Sequence, residues 1–361
     1  MDSLGAQSGL AVEFMSRAWP EARDSARAVV GPKAAQIEEV ILCGCGDSHH
    51  AAAASEMAFS EWSGRRVRAA PAMAAARYLV PRLGASTGAV LLIGISVSGE
   101  VARTIEAVDL ASAAGASTLA LTADSDSSLV KAAHMNLALQ PPAVPTGPGL
   151  LSFLGSLLLC YAVAETLSGE SMRQSIDASL NETFALLEPW IEEERRIGEE
   201  FAEKVHGAAP VLFLGSGPAH GMAMFAAAKL VEAAGVCAWA QDVEEWAHVE
   251  YFAAPANAPT WLLSSAGRSQ SREDEIAAAA SAIGRSWAVS RWLGDPRWPG
   301  SMREVLSPLA LWPGPVSYAS CRASQLGEKP FRDFGGGRSA REGGGVSRIR
   351  SSLRWRDVGD V

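Results

Sequence analysis

Positive charge is in short supply. The 361-residue chain carries 31 Lys and Arg against 40 Asp and Glu, a formal net charge of −9, whereas a nucleic-acid backbone or an anionic membrane is bound by a basic face. Neither nucleic acid nor membrane is therefore expected as a partner. A small anion needs only a local nest of donors, so this exclusion does not reach it. Also missing are a run of about 18 apolar residues that could cross a bilayer and a charged, then apolar, then small-residue leader. These absences read as a soluble, cytoplasmic protein. The five cysteines, Cys43, Cys45, Cys160, Cys237 and Cys321, are odd in number, fall mostly in apolar runs and lack Cys-x-x-Cys spacing. They are expected as reduced core residues, with no disulfide and no zinc site. No cofactor and no metal are expected.

Apolar residues make up 48% of the chain, enough to bury a sizeable core in two domains of about 150 residues each plus connecting helices. An internal duplication organises them. Val40-Ile-Leu-Cys-Gly44-Cys-Gly46 followed by a helical stretch from Ala51 to Phe59 is echoed by Val211-Leu-Phe-Leu-Gly215-Ser-Gly217 followed by Ala223 to Ala234. The strand at Val90 to Ile95 and its serine loop are echoed by Trp261-Leu-Leu-Ser-Ser265-Ala-Gly267 and a helix from about Glu273 to Ile283. Each copy reads as strand, turn, helix, strand, helix, which predicts an α/β class of two doubly wound, flavodoxin-like parallel-sheet domains. The expected layout is an N-terminal helical segment at 1–35, a first domain at 36–168, a linker helix at 169–205, a second domain at 206–330 and a Gly/Arg-rich tail at 331–361. The tail reads either as a frayed terminus or as a basic flap over an anionic ligand.

The most informative stretch is Leu91-Leu-Ile-Gly-Ile-Ser96-Val-Ser98-Gly99-Glu100. A buried strand ending in two serines and a glycine, just before an amphipathic helix, places hydroxyls and backbone N–H groups where the helix dipole favours an anion. The same pattern is also an ordinary N-capped turn. In Cys45-Gly46-Asp47-Ser48-His49-His50 the chain leaves a strand's carboxyl end, the usual ligand crevice of such a sheet, so Gly46 and Ser48 are candidate phosphate or sugar contacts. The adjacent histidines lack the four-residue spacing of a helical metal pair. A dinucleotide site is rejected at the first turn because His49 replaces the third glycine. At the second, Gly215-Ser-Gly217-Pro-Ala-His-Gly221 has the wrong spacing, although Asp242 could pass for the ribose-binding acid. Lys229 and Glu232, three apart on an Ala-rich helix, read as a surface ion pair or as a buried carboxylate suited to shuttling protons. Gln241 to Glu250, with Glu245 and His248, reads as a solvated charged helix or as a site.

In this order, these pieces resemble the sugar isomerase (SIS) domain family, in particular the isomerase half of glucosamine-6-phosphate synthase, over roughly residues 30 to 310. The resemblance implies that Ser96, Ser98 and Gly99, with Ser48, grip a sugar phosphate. It also matches Lys229 and Glu232 to a Lys-x-x-Glu pair and Glu245 and His248 to a Glu-x-x-His. The sixteen-residue step from Glu232 to His248 equals the family's. By the resemblance, Glu232 moves the proton between C1 and C2 of the sugar, and His248 opens the ring, in a homodimer where it can reach the neighbouring subunit's site. Lys229 would then act on the oxygen or amine at C2. The sequence departs from the family at Val97 and Val101, where the loop has polar residues, at Asp47, where the turn has Thr, and at Pro141 to Leu151, which replaces a Ser-Thr-Lys segment. The synthase's glutamine-hydrolysing domain has no counterpart in it. The expectation is a phosphosugar isomerase or aminosugar-phosphate deaminase, the alternative a catalytically silent sugar-phosphate sensor.

Overall fold

In the computed structural model, residues 3–84, 87–205, 209–253 and 255–328 are described. The Gly/Arg-rich tail lies outside them. The element order is α1 (Ser3–Val30), β1 (Glu39–Gly44), α2 (Asp47–Ser63), β2 (Arg66–Pro71), α3 (Ala72–Ala74), β3 (Val90–Ile95), α4 (Ala102–Ala113), β4 (Ser117–Thr122), α5 (Ser128–Ala132), β5 (Met135–Ala138), α6 (Leu151–Thr166) and α7 (Glu170–Lys204). It continues with β6 (Val211–Leu214), α8 (Pro218–Ala234), β7 (Ala238–Gln241), α9 (Val243–His248), β8 (Thr260–Ser264), α10 (Gln270–Ala282), β9 (Trp287–Arg291), α11 (Gly300–Leu306) and α12 (Pro313–Gln325).

The chain divides into two units. The first holds residues 13–142 and 151–177, with a five-stranded sheet in the order β2-β1-β3-β4-β5. All its pairings are parallel, the flavodoxin-like order with a switch point between β1 and β3. The second holds the described residues of 3–12, 143–150 and 178–328, with a parallel sheet ordered β7-β6-β8-β9. Two doubly wound α/β units are thus present, as the duplicated pattern predicts.

Central position explains the strand sequences. All six residues of β3 are buried because both edges pair and both faces are covered, so the strand is a continuous apolar run instead of an alternating one. At the sheet edge, β2 alternates and exposes Arg66 and Arg68 only on its outward side. The first core gathers Ile41, Leu92, Val108, Ala120 and Leu129. The second gathers Leu212, Leu214, Trp246, Leu262 and Ile276. Helix α6 is apolar on every side and almost wholly buried, as expected of a helix without a polar stripe. The segment that replaces the family's Ser-Thr-Lys is fixed by Gln7, whose amide donates to the Pro148 carbonyl (2.8 Å) and accepts from the Leu150 N–H (2.8 Å).

One expectation needs correction. Cys43 and Cys160 are core residues, but Cys45 and Cys237 are exposed and Cys321 is half-buried. Cys45 lies in the turn after β1 and Cys237 in the loop before β7, where the apolar runs have ended. All five are free thiols, and burial pushes Cys43 up to about 12.

Candidate active site

At the carboxyl end of β1, Gly46 turns the chain into α2 with φ 57° and ψ −131°, a backbone region that side chains avoid. Ser48 follows in the first turn, 7% exposed. Asp47 stands beside it, its Oδ1 3.4 Å from His50 Nδ1. The two histidines therefore belong to the first turn of α2, and no cluster of metal-ligating residues is found among the described residues.

On the adjacent strand, the loop after β3 is braced by its own two serines. Ser96 is 1% exposed, and its Oγ accepts the Gly99 N–H at 3.1 Å. Ser98 is exposed, and its Oγ accepts the Glu100 N–H at 3.3 Å. Gly99 has φ 64° and packs so tightly on Ser127 that a Cβ there would overlap it, which is why the position takes glycine. The loop is tied down by the Ala123 N–H to Val97 carbonyl bond (3.0 Å) and the Leu129 N–H to Gly99 carbonyl bond (2.9 Å). Beside it, at the carboxyl ends of β4 and β5, opens a concavity of about 450 Å³ lined by Ala123, Asp124, Ser125, Gln140 and Pro141. Glu100, which the sequence did not single out, accepts from the Ser128 N–H and the Ser128 hydroxyl, both at 2.8 Å. Its carboxylate complements the start of α5 and is committed there.

In the second unit, α8 brings Lys229 and Glu232 into an ion pair, but burial falls the other way from the sequence reading. Lys229 is fully buried, while the Glu232 side chain keeps 45% of its exposure. The reason is packing: Lys229 lies on the side of α8 that carries Phe225, whose ring centroid is 5.3 Å from Nζ, whereas Glu232 lies one turn on, at the rim. An interior ammonium with no partner is very costly. Here the carboxylate and the ring face offset that cost.

Helix α9 carries the remaining candidates, and both Glu245 and His248 are exposed. The structure brings His248 to Glu244, with Nε2 3.1 Å from Oε1, instead of to Glu245. Glu244 also accepts from Arg272 of α10 at 2.6 Å. The Arg272 bond, with His248 second, holds the Glu244 carboxyl below its ordinary value. Asp242 caps α9 by accepting the Glu244 N–H at 2.8 Å and takes the Ser216 hydroxyl at 2.6 Å. That capping role accounts for the acid considered as a ribose ligand. The sequence signal for Glu244 was present, since i, i+4 pairs meet on a helix as well as i, i+3 pairs. For Arg272 there was none, because it comes from another element.

Comparison with known proteins follows the same lines. Residues 35–166 match the family model of the SIS domain. The glutamine–fructose-6-phosphate aminotransferase [isomerizing] of Shewanella oneidensis is 32% identical over 205 residues, 54% of this chain and 32% of that protein. The chain spans about a third or less of the length of the curated relatives it matches. Among solved structures, the C-terminal domain of glucosamine-fructose-6-phosphate aminotransferase from Francisella tularensis superposes with a TM-score of 0.76 at 15% identity, over 91% of this chain and 97% of that one. Glucosamine-6-phosphate deaminase from Thermotoga maritima superposes with a TM-score of 0.63 at 18% identity, over 88% and 97%. At these identities the superpositions speak for the fold.

Proposed function

We propose that this chain, whose residues 35–166 belong to the SIS domain family, binds a hexose or hexosamine phosphate and catalyses its aldose–ketose isomerisation or deamination. Names of similar proteins support the substrate class: an isomerizing aminotransferase in sequence and a glucosamine-6-phosphate deaminase in fold. The phosphate falls to Ser96, Ser98 and Gly99 with Gly46 and Ser48. Proton transfer between C1 and C2 falls to Glu232, and ring opening to His248, with Glu245 beside it.

The observation that carries this reading is the Lys229–Glu232 pair. A carboxylate that shuttles a proton must be held in one orientation and still be reachable by its substrate. Glu232 meets both conditions, fixed on one side by a buried ammonium and open on the other. Lys229 is then placed to orient the C2 oxygen or amine. The proposal includes a cytoplasmic homodimer, because exposed His248 suits a residue that serves a neighbouring copy.

Glu232→Gln is expected to lower turnover of a hexosamine or hexose 6-phosphate by about 10²- to 10⁴-fold, the usual range for a general base, with sugar-phosphate affinity nearly unchanged by calorimetry. Undiminished turnover would sink the assignment. Apolar Val97 and Val101 in the loop favour the second reading, a sensor. That reading requires wild-type protein to bind the same sugars, raising its melting temperature, without converting them.

A further inference from the structure

The duplication supplies a second loop equivalent to the one described above, and its fate is different. Counting from Gly44 and Gly215, Ile41 corresponds to Leu212. These pair with Leu92 of β3 and Thr260 of β8, so Ser96 corresponds to Ser264, Gly99 to Gly267, and the helix caps Val101 and Ser269 to each other. Ile105 then corresponds to Glu273.

Glu273 is fully buried at the start of the thirteen-residue helix α10. The Ser264 hydroxyl donates to one of its carboxylate oxygens and the Ser269 hydroxyl to the other, at 2.6 Å. Ser264 Oγ also accepts from the Arg291 guanidinium (3.2 Å) and the Ala266 N–H (3.2 Å). Ser265 is fully buried, with its Oγ unpartnered. Two hydroxyls from opposite ends of a loop, a guanidinium and a helix start are the components of a phosphate site. An anion already sits among them. A carboxylate near a helix N-terminus is common on dipole grounds alone. Complete burial, with both oxygens taken by serines flanking the loop, is more than the dipole asks for.

We propose that the loop after β8 is a phosphate-type anion cradle closed by the chain's own Glu273, so that removing this carboxylate opens a site for inorganic phosphate or a phosphomonoester. The first loop remains open because Ile105 supplies no such plug. This inference stands independently of the proposed reaction.

The test is calorimetric titration of the full chain with inorganic phosphate at low ionic strength, in a Ser96→Ala/Ser98→Ala background that disables the first loop. Glu273→Ala is expected to raise the stoichiometry from zero to one phosphate per chain, and a further Ser264→Ala to return it to zero. Glu273→Gln keeps the cradle filled and is expected to add no site. If Glu273→Ala does not fold, Glu273→Ile, which copies Ile105, carries the same test. A folded Glu273→Ala or Glu273→Ile that gains no phosphate overturns the inference, as does a gained site that survives Ser264→Ala. Absence of binding by wild-type protein would count against the first loop alone, and a site gained at the second would still uphold the plug.

Discussion

Helices α2 and α8 are the same piece of backbone used twice. Each is 17 residues long, entered through a glycine at φ 57° (Gly46, Gly217) and left through a left-handed glycine (Gly64 at φ 67°, Gly235 at φ 63°). Only the side chains differ. Buried Lys229 of α8 stands where α2 has buried Ala58, and Glu232 stands where α2 has Glu61. Glycines and apolar positions fix the frame, so a single interior difference, Lys229 against Ala58, places a buried ammonium beside the acid in one copy and none in the other.

One interior carboxylate of the second unit is treated differently from those of the first, and this gives the largest expected effect. In the first unit Glu165 is paired with Arg27, and Glu106 with Arg77 and Arg103. In the second, Glu304 is likewise paired with Arg268, but fully buried Glu194 has no ion-pair partner among the described residues. It accepts from the Ser290 hydroxyl, which itself accepts from Trp261 Nε1 at 3.0 Å. Burial therefore pushes Glu194 up to about 8 from an ordinary value of 4.5, with the Ser290 bond opposing. The folded state keeps its proton where the unfolded chain has lost it, so stability is full below pH 4.5 and falls as pH rises toward about 8. The loss is about 4 to 5 kcal/mol, level above that range. Glu194→Gln is expected to flatten this slope, so that urea unfolding midpoints at pH 5 and pH 9 nearly coincide. A slope unchanged in the variant would mean that Glu194 does not differ in this way from the paired carboxylates.

Next in size, Lys229→Ala makes α8 resemble α2 at the decisive position. It leaves a hole where a long side chain was packed, for an expected loss of about 2 to 4 kcal/mol. Lys229→Met fills that space without the charge and is expected to stay within about 1 kcal/mol of wild type or above it, as apolar replacements of buried ion pairs often do. Both are expected to lose turnover of the phosphosugar. Denaturation alongside an activity assay separates packing from chemistry, and an active, stable Lys229→Met would return Lys229 to a purely structural role.

How much of this was legible in sequence follows from where the information lies. Helix α7, expected over 169–205 and found at Glu170–Lys204, was readable because its charge and periodicity are local. The duplication was readable because the Gly-x-Gly turns must recur for the backbone to recur. The inversion at Lys229 and Glu232 was not, since α8 is apolar over most of its surface and its periodicity does not say which side faces inward. Glu273 escaped notice for another reason. Its partner Ser264 lies on β8, and only the fold brings the strand end over the helix start.

A smaller effect tests whether the two turns are equivalent. Gly46→Ala and Gly217→Ala each force a Cβ into a strained region at nearly identical angles, ψ −131° and −132°, with open space around both. Each is expected to cost about 1 to 3 kcal/mol, and the two to match when compared by chemical denaturation. A marked difference would show that the strain is relieved by the surroundings of one unit and not by backbone geometry common to both.

The smallest effect concerns α9, whose Glu244 and Glu245 stand where the first unit has Met73 and Ala74. Arg272 holds Glu244 at 2.6 Å on an exposed surface, where solvent and salt screen the attraction. Arg272→Ala is therefore expected to leave the melting temperature unchanged. What it removes is the main influence that lowers the Glu244 carboxyl, since the His248 contact ranks second. An NMR titration of Glu244 is expected to move its midpoint upward in the variant, leaving His248 as the carboxylate's neighbour. If the midpoint does not move, Arg272 is not what sets the charge beside His248, and the electrostatic difference between α9 and the first unit narrows to the acids Glu244 and Glu245 themselves.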